Sequence, residues 1–238
     1  MTASTQPPEL SVVVLCYRSE DFARTFAEQL IAELDASAAA TWELLLVANY
    51  DDENDPTPSI ADAFAADHPN VRVIARRKQG RMGWDMRSGL EAATGRYIAV
   101  IDGDGQMPVS DIPVVFDIIR TGHFDLVKTY RARRADGFWR RLLSAGYNRL
   151  FALLFRPRFA VNDINSKPKI MRREAYERMD LHSDDWFTDS EIMIRADALN
   201  LRICEVATSF GPNERRASLV GLTTVMEFIW NLVRYRFQ

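Results

Sequence analysis

Arg96-Tyr-Ile-Ala-Val-Ile-Asp-Gly-Asp-Gly-Gln106 is the stretch on which the reading of the fold turns. Arg96–Ile101 is an apolar run of the kind that makes a strand buried on both faces. It ends on Asp102-Gly103-Asp104, two carboxylates separated by a flexible glycine. Such a pair can approach one hard cation, Mg²⁺ or Mn²⁺, that keeps its other positions for phosphate oxygens or water. Gln106 could add a neutral oxygen to the same cation or orient a water. The same letters also describe a solvated turn, because Asp and Gly favour turns. Position in the chain has to decide between the two.

Working outward, Leu10–Tyr17, Glu43–Ala48 and Val71–Ala75 are three further short apolar runs before this strand, and Phe124–Thr129 is one after it. Helical spacing fills the gaps over Glu20–Leu34, Ile60–Ala66, Trp84–Ala93 and Val109–Arg120. Five strand and helix alternations predict an α/β fold with a mainly parallel central sheet between two helical layers. Such sheets bind ligands beyond the carboxyl ends of their strands. The candidate loops are therefore Tyr17–Glu20, Asn49–Asp55, Arg76–Gly83 and Asp102–Gln106, and the paired carboxylates fall in the crevice. Farther on, a helix is expected over Gly137–Phe155, a strand over Lys169–Arg172, a helix over Thr188–Leu199 and a strand over Ile203–Ser209. Thr188 or Asp189 is a candidate cap for that last helix.

The chain has 238 residues, 47% of them hydrophobic, a net charge of −3, two cysteines and three histidines. Cys16 and Cys204 exclude a disulfide framework and suit a reducing compartment. The scattered histidines do not make a zinc cage. Met1–Glu9 reads as a disordered arm without a signal peptide. No run of about 18 uninterrupted apolar residues exists, so the chain is not expected to span a membrane by itself.

Charge is unevenly spread. Arg76, Arg77, Lys78, Arg81 and Arg87 surround Gly80 and Gly83, a cationic loop whose glycines permit backbone approach to phosphate. Lys128–Arg158 holds nine basic residues and one acid, interleaved with Phe138, Trp139, Leu142, Leu143, Leu153 and other large apolar side chains. A basic amphipathic helix of this kind reads as a membrane-surface element, and a helix on the sheet with a solvated basic face is the plainer reading. Nucleic acid is not expected in so acidic a chain. Residues 219–238 read as a C-terminal amphipathic helix that suits a membrane surface, a membrane partner protein, a dimer contact or the core.

Together these motifs resemble family 2 glycosyltransferases of the GT-A fold, in the branch of dolichol-phosphate mannose synthases and related polyprenyl-phosphate glycosyltransferases. The resemblance rests on SVVVLCYRSED, on RKQGRMGWDMRSGLEAATGRYIAVIDGDGQMP and on a D-x-x-S run at Asp163–Ser166. It covers about residues 10–218, implied to be one GT-A domain. It implies that Asp102, Asp104 and Gln106 hold Mg²⁺ or Mn²⁺ on the diphosphate of a GDP- or UDP-sugar. Tyr17, Glu20, Asn49, Asp51 and Arg81 would line the nucleotide side. Asn49 departs from the family's second aspartate there. Arg131, Arg140, Ser144 and Arg215 would surround the phosphate of a polyprenyl phosphate. Asp163 and Asp189 are the further candidate catalytic carboxylates. Lys167-Pro168-Lys169 replaces the family's G-F-R.

The resemblance implies an inverting, metal-dependent hexosyltransferase of envelope glycan assembly, peripheral at the inner face of a membrane. A phosphate acceptor is already ionised at neutral pH, its second pKa being about 6, so Asp163 or Asp189 would orient rather than abstract a proton. A saccharide hydroxyl acceptor would demand a true base. A nucleotide-sugar-binding module without catalysis is the third reading.

Overall fold

The computed structural model describes residues 6–37, 39, 41–135, 137–212 and 222–237. In chain order the elements are β1 (Leu10–Leu15), α1 (Asp21–Ala36), β2 (Trp42–Val47), α2 (Thr57–Ala66), β3 (Val71–Ile74), α3 (Met82–Ala92), β4 (Tyr97–Asp102) and α4 (Asp111–Arg120). They continue with β5 (Leu126–Arg134), α5 (Phe138–Phe155), β6 (Lys169–Arg172), α6 (Arg173–Met179), α7 (Thr188–Ala198), β7 (Ile203–Phe210) and α8 (Leu222–Phe237).

The strands form one sheet in the order β3-β2-β1-β4-β6-β5-β7. β1 pairs in parallel with β2 and β4, β2 with β3, and β5 with β7. The expected mainly parallel sheet is present, with one difference. β5 does not lie beside β4. The four-residue β6 runs between them, antiparallel to both. The chain leaves β5, makes the long α5 excursion and re-enters the sheet from the opposite direction, which antiparallel pairing accommodates.

Each face of the sheet carries its own core. Val12, Val14, Leu44, Leu46, Ala99 and Ile101 face α1, α2 and α4. Val13, Leu45, Val47, Ile98 and Val100 face α3, α5, α6, α7 and α8. This alternation follows from the period of two along a strand, and both sets are fully buried, which is why these strands read as continuous apolar runs. In α1, Ala23, Phe26, Ala27, Leu30 and Leu34 make the buried stripe.

Candidate active site

The topology gathers the candidate residues at one edge of the sheet. The carboxyl ends of β1, β2, β4, β5 and β7 and the amino end of β6 all point there. Asp102 is the last residue of β4, and its side chain is 37% exposed. Gly103 is not a flexible spacer. Its amide donates to the Leu15 carbonyl at 3.0 Å, and a Cβ there would meet Val14 Cγ1 at 2.9 Å and the Leu15 oxygen at 3.0 Å. Its lack of a side chain lets the end of β4 lie against β1. Asp104 Oδ1 accepts the Gln106 amide at 3.0 Å. The buried Gln106 is pinned to the end of β7, its Nε2 donating to the Gly211 carbonyl at 3.1 Å and its own carbonyl accepting the Gly211 amide at 2.8 Å.

Among the described residues, no group of three or more His, Cys, Asp or Glu gathers to hold a metal ion. The donor set at the edge is instead two partly exposed carboxylates of hard oxygen character. That fits Mg²⁺ or Mn²⁺ shared with a diphosphate.

Behind these carboxylates lies a buried network that the sequence reading did not assemble. Lys167 Nζ is 3.2 Å from Asp102 Oδ2 and 3.0 Å from Asp189 Oδ2. The other Asp189 oxygen takes the Lys169 ammonium, which also donates to the Ser166 carbonyl at 2.9 Å. Lys128 Nζ lies 3.0 Å from Glu205 Oε1 and donates to the backbone carbonyls of Thr129 and Asp163. Arg131 grips Asp163 with both ends of its fork, at 2.6 and 2.8 Å. Four cations therefore meet four carboxylates, all but Asp102 within the fold's interior or close to it. Buried charge is tolerated only when paired in this way. Burial pushes the Lys169 ammonium down to about 8, with Lys128 and Lys167 adding to the effect and Asp189 opposing it. Burial would raise the Asp189 carboxyl, but Lys167 and Lys169 outweigh it and hold the group below the ordinary carboxylate value.

Beyond the ends of β1 and β2, Tyr17 Oη donates to Asp51 Oδ2 at 2.8 Å and Arg18 holds the other oxygen at 3.0 Å. Burial, then Asp51, pushes the Tyr17 hydroxyl up to about 12, so it stays a donor. Arg18 and Glu20 take positive φ, at 51° and 49°, which is uncommon without a glycine. The Glu20 amide donates to Thr57 Oγ1 at 2.9 Å. Asn49 is buried and turned inward. Its Nδ2 donates to Asp85 Oδ1 and Ser88 Oγ, both at 3.0 Å, and its Oδ1 accepts the Arg76 amide at 2.9 Å. Asp85 in turn pairs with Lys78, whose ammonium lies 4.1 Å from the Tyr17 ring centroid.

Two expectations for the cationic loop are corrected. Gly80 and Gly83 serve close protein packing: a Cβ on Gly83 would meet Thr188 Oγ1 at 2.0 Å and the Asp185 carbonyl at 2.3 Å. The amides of Arg81, Gly83 and Trp84 donate to the carbonyls of Asp184 and Asp185 at 2.7–3.2 Å. Among the described residues, four of the five cations stand in ion pairs: Arg77 with Glu53, Lys78 with Asp85, Arg81 with Glu227 of α8, and Arg87 with Glu91 and Asp184. Neither Thr188 nor Asp189 caps α7. Thr188 Oγ1 instead donates to the Ser183 carbonyl at 2.9 Å, and Asp189 belongs to the lysine network.

Arg140 and Ser144 lie one turn apart on α5, both half-buried. Helix α5 leaves Phe138, Trp139, Leu142, Leu143 and Leu153 exposed, with Trp139 at 73%. It packs against α8 through the Tyr147 and Phe228 rings, and α8 exposes Met226 and Trp230. Among the described residues, no helix is long and apolar enough to cross a membrane. Arg215 lies outside the described residues.

Comparison with known proteins agrees with this architecture. Residues 11–180 match Glycosyl transferase family 2, and the chain belongs to that family. It is 28% identical over 214 residues to glycosyltransferase AglD of Haloferax volcanii, covering 86% of this chain and 33% of that protein. It is 23% identical to the dolichyl-phosphate beta-glucosyltransferase of Dictyostelium discoideum, covering 96% and 74%. The chain thus spans only about a third of the first relative's length. Glucosyl-3-phosphoglycerate synthase from Mycobacterium tuberculosis, solved with Mn²⁺, UDP and phosphoglyceric acid, superposes with a TM-score of 0.73 at 18% identity, over 96% of this chain and 78% of that one. The fold is that of the GT-A glycosyltransferases.

Proposed function

We propose that this protein transfers a sugar, with inversion, from a nucleoside diphosphate sugar to a polyprenyl phosphate while seated on a membrane surface. The observation that carries the proposal is a juxtaposition. The strand edge bearing Asp102 and Asp104 is also the edge from which β5 feeds α5, a helix whose exposed side is both apolar and basic. A lipid acceptor needs such a face, and a water-soluble acceptor does not. The dolichyl-phosphate relative supports the acceptor class.

Asp102 and Asp104 would hold Mg²⁺ or Mn²⁺, which when bound supplies neutralisation of the leaving diphosphate. Tyr17 and Asp51 sit at the nucleotide side, with Glu20 and Arg81 at the ends of the adjoining turns. Arg131, held in place by Asp163, would donate N–H bonds to the acceptor phosphate, and Arg140 and Ser144 on α5 would add a cation and a hydroxyl. Arg215, assigned to the same phosphate by its motif, lies outside the described residues. Positioning two anions in line beside fixed cations is most of what this chemistry requires. Asp189 is ill-suited to take a proton, being buried between two ammonium groups that favour its ionised form. That favours an acceptor already ionised over a sugar hydroxyl.

The test is incubation with labelled UDP- and GDP-sugars, Mn²⁺ and either a short polyprenyl phosphate in anionic vesicles or phosphoglyceric acid. A lipid-linked sugar is the expected product. Transfer to phosphoglyceric acid alone, or to neither acceptor, rejects the proposal.

A further inference from the structure

Lys167 is the residue at which this chain departs most usefully from its motif, a lysine standing where the resemblance has glycine. Its side chain is 3% exposed, yet its ammonium is extended to the edge of the site, 3.2 Å from Asp102 Oδ2. Asp189 does not by itself require it, because Lys169 already holds the other Asp189 oxygen. Burial would lower the Lys167 ammonium, but Asp102 and Asp189 more than offset this and keep it charged.

We infer that Lys167 makes divalent-ion binding conditional on the donor's diphosphate. Its ammonium occupies the charge position beside Asp102, so the metal binds together with the nucleotide and poorly before it. The inference rests on Asp102 and Asp104 being the metal-holding pair. Without nucleotide, an incoming divalent ion meets two carboxylates and one ammonium, a net single negative charge. At partly buried sites such a neighbouring cation is felt strongly, because screening is incomplete. A diphosphate restores the missing negative charge and supplies oxygen ligands. Lys167 is thus a positioning residue acting through Asp102, and it also fixes that carboxylate against rotation while the site waits for donor.

Mn²⁺ binding to the full chain, followed by electron paramagnetic resonance and calorimetry with and without UDP or GDP, tests this. Wild type is expected to bind Mn²⁺ weakly alone and tightly with one of the nucleotides. Lys167→Met and the closer isostere Lys167→Gln should bind Mn²⁺ alone at least about tenfold more tightly, equivalent to about 1.4 kcal/mol. Their nucleotide-bound affinity should stay near the wild-type value, and Lys167→Arg should restore weak binding. A thermal melt checks that each variant is folded. Unchanged nucleotide-free affinity in folded Lys167→Met or Lys167→Gln overturns the inference. So does wild-type protein that binds Mn²⁺ equally well without nucleotide, a result that needs no variant. Absence of Mn²⁺ binding with either nucleotide instead overturns the metal assignment to Asp102 and Asp104, and the inference with it.

Discussion

Asp189 has one oxygen on Lys167 and the other on Lys169, and is itself about 1% exposed. Asp189→Asn leaves two buried ammonium groups short of a counter-charge. Breaking a buried pair from one side costs roughly 3–5 kcal/mol, and a fall in denaturation midpoint near pH 7 measures it. The pH dependence has a defined sign. A carboxyl whose folded pKa is depressed contributes stability above its unfolded value, about 3.9. That contribution is lost as pH falls through the folded value. The gap between wild type and Asp189→Asn should therefore be full near pH 6, narrow progressively below about pH 4, and narrow again as pH rises towards 8, where the Lys169 ammonium begins to lose its proton. At the opening of the site, Asp104→Asn should cost about 10²–10³-fold in turnover, the scale of losing one electrostatic contact to the reacting groups. Steady-state rates at saturating Mn²⁺ read it. The sequence displayed Asp102, Asp104, Asp163 and Asp189 as candidates. It did not display their partners, because Lys128, Lys167 and Lys169 lie tens of residues from Glu205, Asp102 and Asp189 in the chain. Lys128 passed as one of nine cations in a basic stretch. The available signal was its place in an apolar strand, where a charged residue is rarely fully buried without a counter-ion.

The first turn of α3 and the segment 183–188 form one clamp. Gly83→Ala would drive a Cβ into Thr188 Oγ1 and the Asp185 carbonyl. Overpacking of this kind costs about 1–3 kcal/mol, and here part of the obstruction is backbone, which yields least. The expected outcome is a lower melting temperature, read by calorimetry. Helical spacing disclosed most helices, and apolar runs disclosed the strands. Two element-level features were hidden for physical reasons. Helix α6, seven residues long, is too short to show a period. The glycines of residues 80–83 have no side chains, so composition could not distinguish approach to a phosphate from approach to a neighbouring carbonyl.

The whole molecule carries a net charge of −3, yet its basic residues concentrate along Lys128–Arg158. Anionic leaflets attract each basic residue near the surface by about 1 kcal/mol, within a Debye length of about 10 Å at 0.1 M salt. Co-sedimentation with anionic vesicles should fall as salt rises. Trp139→Glu with Leu142→Glu should abolish it without lowering the melting temperature, since both side chains are exposed. Parallel strand and helix alternation was legible at this scale, but the order of strands was not. The run Lys169–Arg172 has the composition of a strand, and nothing local states which neighbours it will choose.

That short strand has a mechanical consequence. β6 joins the four strands beginning at β3 to the pair β5 and β7, and it spans only Lys169–Arg172. Its ladder matches four residues of β4 and three of β5, whereas β1 matches six on each side. Pulled apart, the sheet should tear along this line like a perforated page. The β3-β2-β1-β4 part and the β5-β7 part would separate there, each with most of its own strand pairing intact.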